Sequence, residues 1–266
     1  MTLNNNNIRE TSVSTLDQYW HCHYGVSSMA EFDNSISIQT IGREQNRIAF
    51  VHDVFDDPDR VISRAESAEY VSKSKAYPGV RSPVDKDIAA LVKSAIAAAA
   101  SQLLAAEIRE LAGGVHYSIV TQRPFDRRGI VQKPHFDDSK GFLMAAVLYL
   151  NRGPHGGTGF FRHRGTGFER ITSDRKPFYD TVVKIEQARL ARLEKTPPGS
   201  DHPCYDRIAT ADPVFNRMVV YPGGNLHSGD IHRFAPTPVD ARSGRLTINA
   251  FLTPILPKEG RASNSV

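Results

Sequence analysis

The sequence is poor in the features that define several classes of protein. Its 266 residues include two cysteines, Cys22 and Cys204, which are too few for a disulfide framework. The first residues, MTLNNNNIRE, contain no apolar core of signal-peptide length, and no uninterrupted apolar run approaches about 18 residues. We therefore expect a cytoplasmic protein that has no membrane partner.

A large excess of one charge is also missing. The 33 lysines and arginines exceed the 29 aspartates and glutamates by four, which gives a formal net charge of +4. Basic residues are scattered along the chain, and no basic patch with interleaved aromatic residues occurs. The sequence therefore predicts no nucleic-acid partner, and it does not indicate an oligomeric state.

The composition, 40% hydrophobic and 23% charged, is that of a globular protein, and the length suits one large domain. Residues 1–44 are polar and poorly periodic, so we expect an N-terminal arm there and a single domain over 45–266. Supporting helices are expected within about 58–112. Charged, helix-prone sequence followed by TPPGSDHP predicts a lid-like insertion at about 170–216.

Two helix starts can be read from the sequence. Asp57 followed by Pro58 predicts an N-cap with proline in the first turn. An alanine-rich segment with apolar residues at helical spacing predicts a second helix from about Pro83, capped by Ser82 and ended by Gly113-Gly114.

Short apolar or alternating runs, separated by turn residues, make up most of the remaining chain. Such a series predicts a β-sandwich or barrel. The predicted strands are RIAFVH, HYSIVTQ, IVQKPHF, FLMAAVLYL, GTGFFRH, RMVVYP, NLHSG and RLTINAFL.

The stretch KPHFDDSKGF contains a candidate metal-binding pair. His135 and Asp137 are two positions apart, so in an extended segment their side chains point to the same face. A third candidate, His227, follows the strand-turn sequence VVYPGGNL. Two histidines and one carboxylate can occupy one face of an octahedral ion and leave three positions open, as in non-haem Fe(II) oxygenases, although zinc hydrolases use similar ligands.

A candidate anion-binding pair lies in GRLTINAF. Arg245 and Thr247 are two apart on a predicted strand and share a face. A guanidinium can hold a carboxylate in two parallel hydrogen bonds, and the hydroxyl can add a third. A dicarboxylate co-substrate fits this pair, while an arginine paired with a protein carboxylate or turned to solvent is the structural alternative.

The segments PHFD, VLYLN, GGTGFF, YPGGNLHS and GRLTINAF, in this order, resemble the Fe(II)/2-oxoglutarate-dependent dioxygenases and, within them, the prolyl-hydroxylase-like branch. The segment AFVHDVFDDPD resembles the opening strand of such domains. The motif-bearing part covers roughly residues 115–252. The resemblance implies a mainly β double-stranded β-helix, a cupin-like jelly roll with helices supporting one sheet.

The same resemblance implies an activity and a metal. It makes His135, Asp137 and His227 the ligands of a catalytic Fe(II), with 2-oxoglutarate and O2 as co-substrates. The expected reaction is the hydroxylation of an unactivated C–H bond of a small-molecule substrate, such as an amino acid or a natural-product intermediate. The carboxylate at 137 favours hydroxylation over halogenation, because halogenating relatives have a small residue there.

In the same way, Arg245 matches the residue that binds the distal carboxylate of 2-oxoglutarate, assisted by Thr247 and by Tyr149. Arg245 lies 18 positions after His227 (245 minus 227), whereas the family spacing is roughly ten. Arg233, six positions after the histidine, is the rival. We favour Arg245 because it begins a regular strand pattern, while Arg233 lies in a loop-like sequence.

Arg162 and Arg164 are candidates for binding a substrate carboxylate. Strand alternation places them on one face and His163 on the other. Two other functions stay open at this stage. One is a cupin-type metalloenzyme that does not use 2-oxoglutarate, and the other is a non-catalytic jelly-roll binding protein.

Overall fold

The computed structural model of the chain describes residues 32, 35–72, 78–108, 110–121, 133–190, 201–231 and 239–255. Within these residues the helices are α1 (Pro58–Glu66), α2 (Lys86–Leu104) and α3 (Lys176–Leu190). The strands are β1 (Ile36–Ile41), β2 (Asn46–Val51), β3 (Gly79–Pro83), β4 (Glu110–Val120), β5 (Met144–Tyr149), β6 (Thr158–His163), β7 (Tyr205–Ala211), β8 (Arg217–Pro222), β9 (His227–Gly229) and β10 (Arg245–Ile255).

Two antiparallel sheets form the frame of the molecule. The larger sheet has the order β1-β2-β8-β5-β10-β4-β3, and the smaller has the order β7-β6-β9. Strands that are far apart in sequence are neighbours in both sheets, as β10 is between β4 and β5. This topology is that of a double-stranded β-helix, and it confirms the predicted fold class.

Strand alternation divides the side chains of the larger sheet between two cores. Leu246 and Ile248 on β10 pack with residues of α1 and α2 on the outer face of this sheet. Phe251, on the opposite face of β10, packs with Tyr149 and with Phe160 of the smaller sheet. The odd-numbered residues from 245 to 251 therefore face the space between the sheets.

The start of α1 agrees with the sequence prediction. The Asp57 carboxylate accepts a hydrogen bond from the Arg60 amide, and Pro58 is the first helical residue. The side chain satisfies one of the N–H groups that a helix start leaves without a partner, and proline removes another.

The limits predicted for α2 were wrong. Ser82 lies in β3, paired with Tyr117 of β4, so the helix starts only after Asp85. At the other end the chain leaves the helix at Ala105, whose φ is 50°, because the Ser101 hydroxyl and carbonyl accept hydrogen bonds from the following turn. Gly113-Gly114 lie inside β4.

Helix α2 is long and apolar enough to cross a membrane by length and composition, with a mean hydropathy of 1.4 over 18 residues. The side chains responsible for this value, including Leu91, Val92 and Ile96, are buried against the larger sheet. The core helix of a globular protein can have the same length and hydropathy, and α2 is such a helix because it packs against the larger sheet.

Three strands lie where the sequence did not predict them. β1 falls within the expected arm, and its ISIQTI pattern alternates on the edge of the larger sheet. β7 falls within the expected insertion and pairs with β6, so part of 170–216 belongs to the barrel. β3 is short and ends in proline, as edge strands often do. Residues 1–31 of the arm lie outside the described residues.

Candidate metal centre

The segment that carries His135 and Asp137 extends the smaller sheet. The amide of His135 donates to the carbonyl of His227 at 2.9 Å, and the reciprocal hydrogen bond is 2.8 Å long. The amide of Asp137 donates to the carbonyl of Gly223 at 2.7 Å. These main-chain contacts bring together three side chains that are up to 92 positions apart in the sequence (227 minus 135).

The three side chains converge on one point. Asp137 places Oδ1 3.7 Å from Nε2 of His135 and Oδ2 3.5 Å from Nε2 of His227. One donor atom from each residue lies within 4.8 Å of the others. A first-row cation about 2 Å from each ligand has neighbouring ligand atoms roughly 3 Å apart, so a small inward movement of the side chains closes the site on an ion.

His227 is held in the form that a metal ligand needs. Its Nδ1 donates to the Asn225 carbonyl at 2.9 Å, so Nε2 presents its lone pair toward Asp137. Burial lowers the pKa of His227 to about 4, which keeps the ring neutral near pH 7. A carbonyl that fixes the tautomer of a histidine is a common outer contact of metal centres.

The charge of Asp137 also depends on burial. Burial raises the pKa of Asp137 to about 6, although His135 and the Arg81 guanidinium act in the opposite direction. The Asp137 carboxyl therefore lacks a strong cationic partner among the described side chains.

The residues fit a metal ion. Oδ2 of Asp137 is buried and has no hydrogen-bond partner among the described residues, a state that a bound cation relieves. Two neutral imidazoles and a carboxylate are the ligands of the facial triad of non-haem Fe(II) oxygenases. The donor set is thus suited to Fe(II) and leaves coordination positions for other molecules.

The two histidines differ in their exposure. The His135 side chain is 55% exposed, whereas that of His227 is 6% exposed and packs edge-on against Tyr221, with 4.8 Å between the ring centres. Tyr221 in turn contacts Phe160, which closes this side of the centre. Among the described residues, the side of His135 is therefore the more exposed side of the centre.

The residues expected to bind 2-oxoglutarate share one wall of the space between the sheets. Thr247 of β10 lies opposite Tyr149 of β5 and opposite Ser118 of β4. Arg245 lies on the same face of β10, two residues away, and is 6% exposed. The structure thus brings Arg245, Thr247 and Tyr149 together, while Arg233 lies outside the described residues.

In this wall the polar groups already have protein partners. Arg245 donates from Nε to the Gly156 carbonyl at 2.7 Å and from Nη2 to the Gly157 carbonyl at 3.1 Å. The Tyr149 and Thr158 hydroxyls are 2.8 Å apart, and the Thr247 hydroxyl donates to a carbonyl of β4. Burial raises the pKa of Tyr149 to about 12, so the phenol keeps its proton.

Arg162 lies on β6 and Arg164 follows the last residue of this strand, whereas His163 between them is buried. Both guanidiniums bind Asp206, at 2.8 Å and 2.7 Å. These hydrogen bonds lower the pKa of Asp206. Asp206 therefore balances a large part of the positive charge that was expected to bind a substrate carboxylate.

Arg81 is a residue near the centre that the sequence analysis missed. It lies on β3, its guanidinium carbon is 5.7 Å from the centre of the Phe251 ring, and its charge acts on Asp137. No motif marks this residue, because β3 is short and the contact of Arg81 with Phe251 depends on the pairing of β3 with β4 and of β4 with β10. Alternation along the segment GVRSP is the only signal that could have suggested it.

A family model describes nearly the whole of the described chain. Residues 33–252 match DUF6445, a family of unknown function. The chain belongs to this family. No curated protein matches the sequence of this DUF6445 member.

Several solved structures are similar to this DUF6445 protein. A prolyl-4-hydroxylase from Pseudomonas putida has 16% identity and a TM-score of 0.42, over 86% of this chain and 100% of that one. The α-ketoglutarate-dependent epimerase SnoN of nogalamycin biosynthesis has 14% identity and a TM-score of 0.48, over 85% and 83%. HygX from Streptomyces hygroscopicus, with nickel and 2-oxoglutarate bound, has 14% identity and a TM-score of 0.46, over 83% and 90%.

Proposed function

We propose that this protein is an Fe(II)- and 2-oxoglutarate-dependent oxygenase that hydroxylates an unactivated C–H bond of a small molecule, such as an amino acid or a natural-product intermediate. One observation carries the proposal. His135, Asp137 and His227 converge, and Oδ2 of Asp137 is buried without a hydrogen-bond partner among the described residues. This donor set matches the 2-His-1-carboxylate triad.

The chain's own residues prepare the centre for its work. His135, Asp137 and His227 would hold Fe(II), which when bound would supply the activation of O2 and the oxidation of the substrate, with 2-oxoglutarate as the co-reductant that gives succinate and CO2. His227 is oriented by the Asn225 carbonyl, and Tyr221 and Phe160 exclude water from its side. The exposed side, at His135, admits the substrate.

Arg245, Thr247 and Tyr149 are proposed to bind the distal carboxylate of 2-oxoglutarate. The carbonyls of Gly156 and Gly157 hold the guanidinium plane in place before the co-substrate arrives. A fixed guanidinium loses little conformational entropy when it binds a carboxylate. The neighbouring hydroxyls can then donate to the same anion.

The decisive experiment is an anaerobic titration with Fe(II) and 2-oxoglutarate. The proposal expects a weak visible charge-transfer band that needs both components, and succinate release once O2 is admitted. The variants His227→Ala and Thr247→Val separate the two sites, because the first removes a metal ligand and the second removes a hydroxyl with little change in volume. If the protein binds Fe(II) but never 2-oxoglutarate, the proposal fails.

One observation favours a second candidate function. Two N–H groups of Arg245 are satisfied by main-chain carbonyls, so the arginine has a structural task even without an organic anion. A cupin-type metalloenzyme that does not use 2-oxoglutarate needs the metal centre, and in such an enzyme Arg245 would have only this structural role. The same titration separates the candidates, since metal binding without any effect of 2-oxoglutarate identifies the second.

A further inference from the structure

Arg81 belongs to the wall of the larger sheet that faces the metal centre. In the sheet register it pairs with Ser118 of β4, which pairs with Thr247 of β10. Its backbone is therefore level with Thr247, on the same row of the sheet. Arg81, Ser118 and Thr247 share one face, the face that is directed toward the smaller sheet.

The side chain of Arg81 does not stay on that row. Its guanidinium carbon lies 5.7 Å from the ring centre of Phe251, which is four residues further along β10 than Thr247. The side chain thus runs along the sheet toward the metal centre. Phe251 pairs with Ala145 of β5, and Ala145 pairs with Tyr221 of β8, whose ring packs against the His227 ring.

This position suits a group that binds the substrate. The exposed edge of the centre is the side of His135, and Arg81 is partly exposed. Asn249, two residues before Phe251 on the same face, carries a buried Oδ1 that lacks a hydrogen-bond partner among the described residues. A cation and an acceptor thus lie on one wall.

We propose that Arg81 binds a carboxylate of the primary substrate, and that Asn249 accepts a hydrogen bond from an N–H or O–H group of the same molecule. The substrate class is a carboxylic acid with a nearby hydrogen-bond donor, as in an α-amino acid. This inference rests on the proposed oxygenase function, and it assigns Arg81 to the substrate and Arg245 to 2-oxoglutarate.

The test measures binding, because the substrate is not identified. Protein loaded with Zn(II), which does not turn over, and with 2-oxoglutarate is titrated with each protein L-amino acid and with its carboxamide. Saturation-transfer NMR detects binding, and calorimetry measures it. We expect at least one acid to bind and its amide to bind about 10- to 100-fold more weakly, the effect of a lost charge-assisted hydrogen bond.

Variants identify the residue responsible. Arg81→Gln is expected to weaken binding of the acid about 10- to 100-fold, and Arg81→Lys is expected to weaken it less. Arg152→Gln, at an exposed ion pair with Asp59, is the control for removing a surface charge. Asn249→Leu is expected to weaken the acid and its amide alike. Circular dichroism and Zn(II) content show whether each variant is folded and loaded.

Any of three results overturns this inference. Either no acid binds the wild type, or an acid and its amide bind equally, or Arg81→Gln binds the acid as tightly as the wild type does. A loss of binding in Arg162→Gln or Arg164→Gln, but not in Arg81→Gln, returns the role to those residues. A loss of 2-oxoglutarate binding in Arg81→Gln assigns Arg81 to the co-substrate instead.

A different set of results would contradict the proposed oxygenase function. If 2-oxoglutarate does not bind the wild type while acids still bind in an Arg81-dependent manner, the oxygenase proposal falls and the anion site at Arg81 stands. Because 2-oxoglutarate and the acid are titrated separately, each result is assigned to one site.

Discussion

Asp137 is the residue on which the properties of the metal-free centre depend most. Its carboxyl lies between two imidazoles, and one of its oxygens is buried without a hydrogen-bond partner among the described residues. Burial raises its pKa to about 6, so the carboxyl is partly protonated in mildly acidic solution. Metal binding needs the ionised form and must release that proton.

Metal affinity is therefore expected to depend on pH in a defined direction. A metal-free pKa of about 6 for Asp137 means that affinity is full above pH 7 and falls as the pH drops through 6. At pH 5 the loss is about tenfold, since about one carboxyl in ten is then ionised. Titration with Co(II), followed by its absorption between pH 5 and 8, measures the effect. A constant affinity over this range contradicts it.

Replacing a ligand tests the centre itself. His227→Ala and Asp137→Ala are each expected to lower Fe(II) affinity by at least about 100-fold, because loss of a direct ligand exceeds the effect of an outer contact. Competition with a chromophoric chelator under anaerobic conditions measures this. His52→Ala, which alters a histidine on the β1–β2 side of the molecule, is the control and is expected to leave affinity unchanged.

At the residue scale the sequence revealed those groups that belong to motifs. His135 and Asp137 could be found because i and i+2 share a face in an extended segment, and Arg245 with Thr247 for the same reason. Arg81 could not, because its position on the wall of the larger sheet follows from the pairing of β3 with β4 and from a long side chain that reaches Phe251. The pairing of Arg162 and Arg164 with Asp206 likewise depends on β7, which the sequence did not indicate.

At the scale of the element, each helix end and each turn has a local cause. The start of α1 depends on Asp57, which accepts the Arg60 amide. The turn before β6 depends on Gly157, whose carbonyl accepts from both Asp230 and Arg245. Gly157 is also packed tightly, because an added Cβ would lie 1.9 Å from the Ala211 carbonyl oxygen.

Loss of the α1 cap is expected to destabilise the fold modestly. Asp57→Ala removes an N-cap hydrogen bond, and such a change lowers the free energy of unfolding by about 1 kcal/mol. Urea unfolding followed by circular dichroism gives the value. Asp56→Ala alters the exposed neighbouring aspartate, which does not cap the helix, and is expected to leave stability within about 0.5 kcal/mol. Equal losses in both variants would show that the cap is unimportant.

A methyl group at Gly157 is expected to disturb both the turn and the proposed co-substrate site. Gly157→Ala forces the chain away from Ala211, with a loss of about 1–3 kcal/mol in stability, and it moves a carbonyl that holds Arg245. We expect weaker 2-oxoglutarate binding by calorimetry. In Gly229→Ala the nearest atom to the new Cβ is 3.8 Å away, so this control is expected to be mild. Normal 2-oxoglutarate affinity in Gly157→Ala would separate the turn from the site.

A strand or helix could be predicted when its residues form a clear apolar or alternating pattern. β5, β6, β8 and β10 are apolar and central, so their limits agree closely with the sequence prediction. β7 is only partly buried over its five inner positions because it lies at the edge of the smaller sheet, and it was read as part of an insertion. The start of α2 was misplaced because Ser82 is a good cap by residue type, yet the β3–β4 pairing keeps it extended.

At the scale of the whole molecule, the metal ligands and the proposed anion-binding residues lie on different sheets. The smaller sheet and the segment paired with it carry His135, Asp137 and His227. The larger sheet carries Arg245, Thr247 and Arg81. A molecule that spans from the metal to the wall therefore links the two sheets, and binding must stabilise their packing.

Loading of the protein is accordingly expected to raise its melting temperature. Saturation with Mn(II) and 2-oxoglutarate at about 100 times their dissociation constants adds about 2.7 kcal/mol for each, less any coupling. For a domain of this size that corresponds to a rise of at least about 5 °C. Differential scanning calorimetry measures it, and EDTA is expected to reverse it. A rise of equal size in His227→Ala would place the stabilising ion elsewhere.

The fold as a whole could be predicted because the order of the motifs implied a double-stranded β-helix. The order of strands in each sheet could not be predicted, since it is set by long-range pairing such as that of β2 with β8. That pairing also explains β1, which extends the larger sheet by forming a hairpin on β2.

The atom that orients His227 belongs to the main chain, and this has an evolutionary consequence. Any residue that fits the buried position 225 brings the same carbonyl oxygen, provided that the Pro-Gly-Gly turn before it keeps its shape. The tautomer of His227 therefore depends on the shape of the backbone and does not depend on the identity of a neighbouring side chain. A homologous chain with another residue that fits at 225 is therefore expected to present the same imidazole nitrogen to an ion.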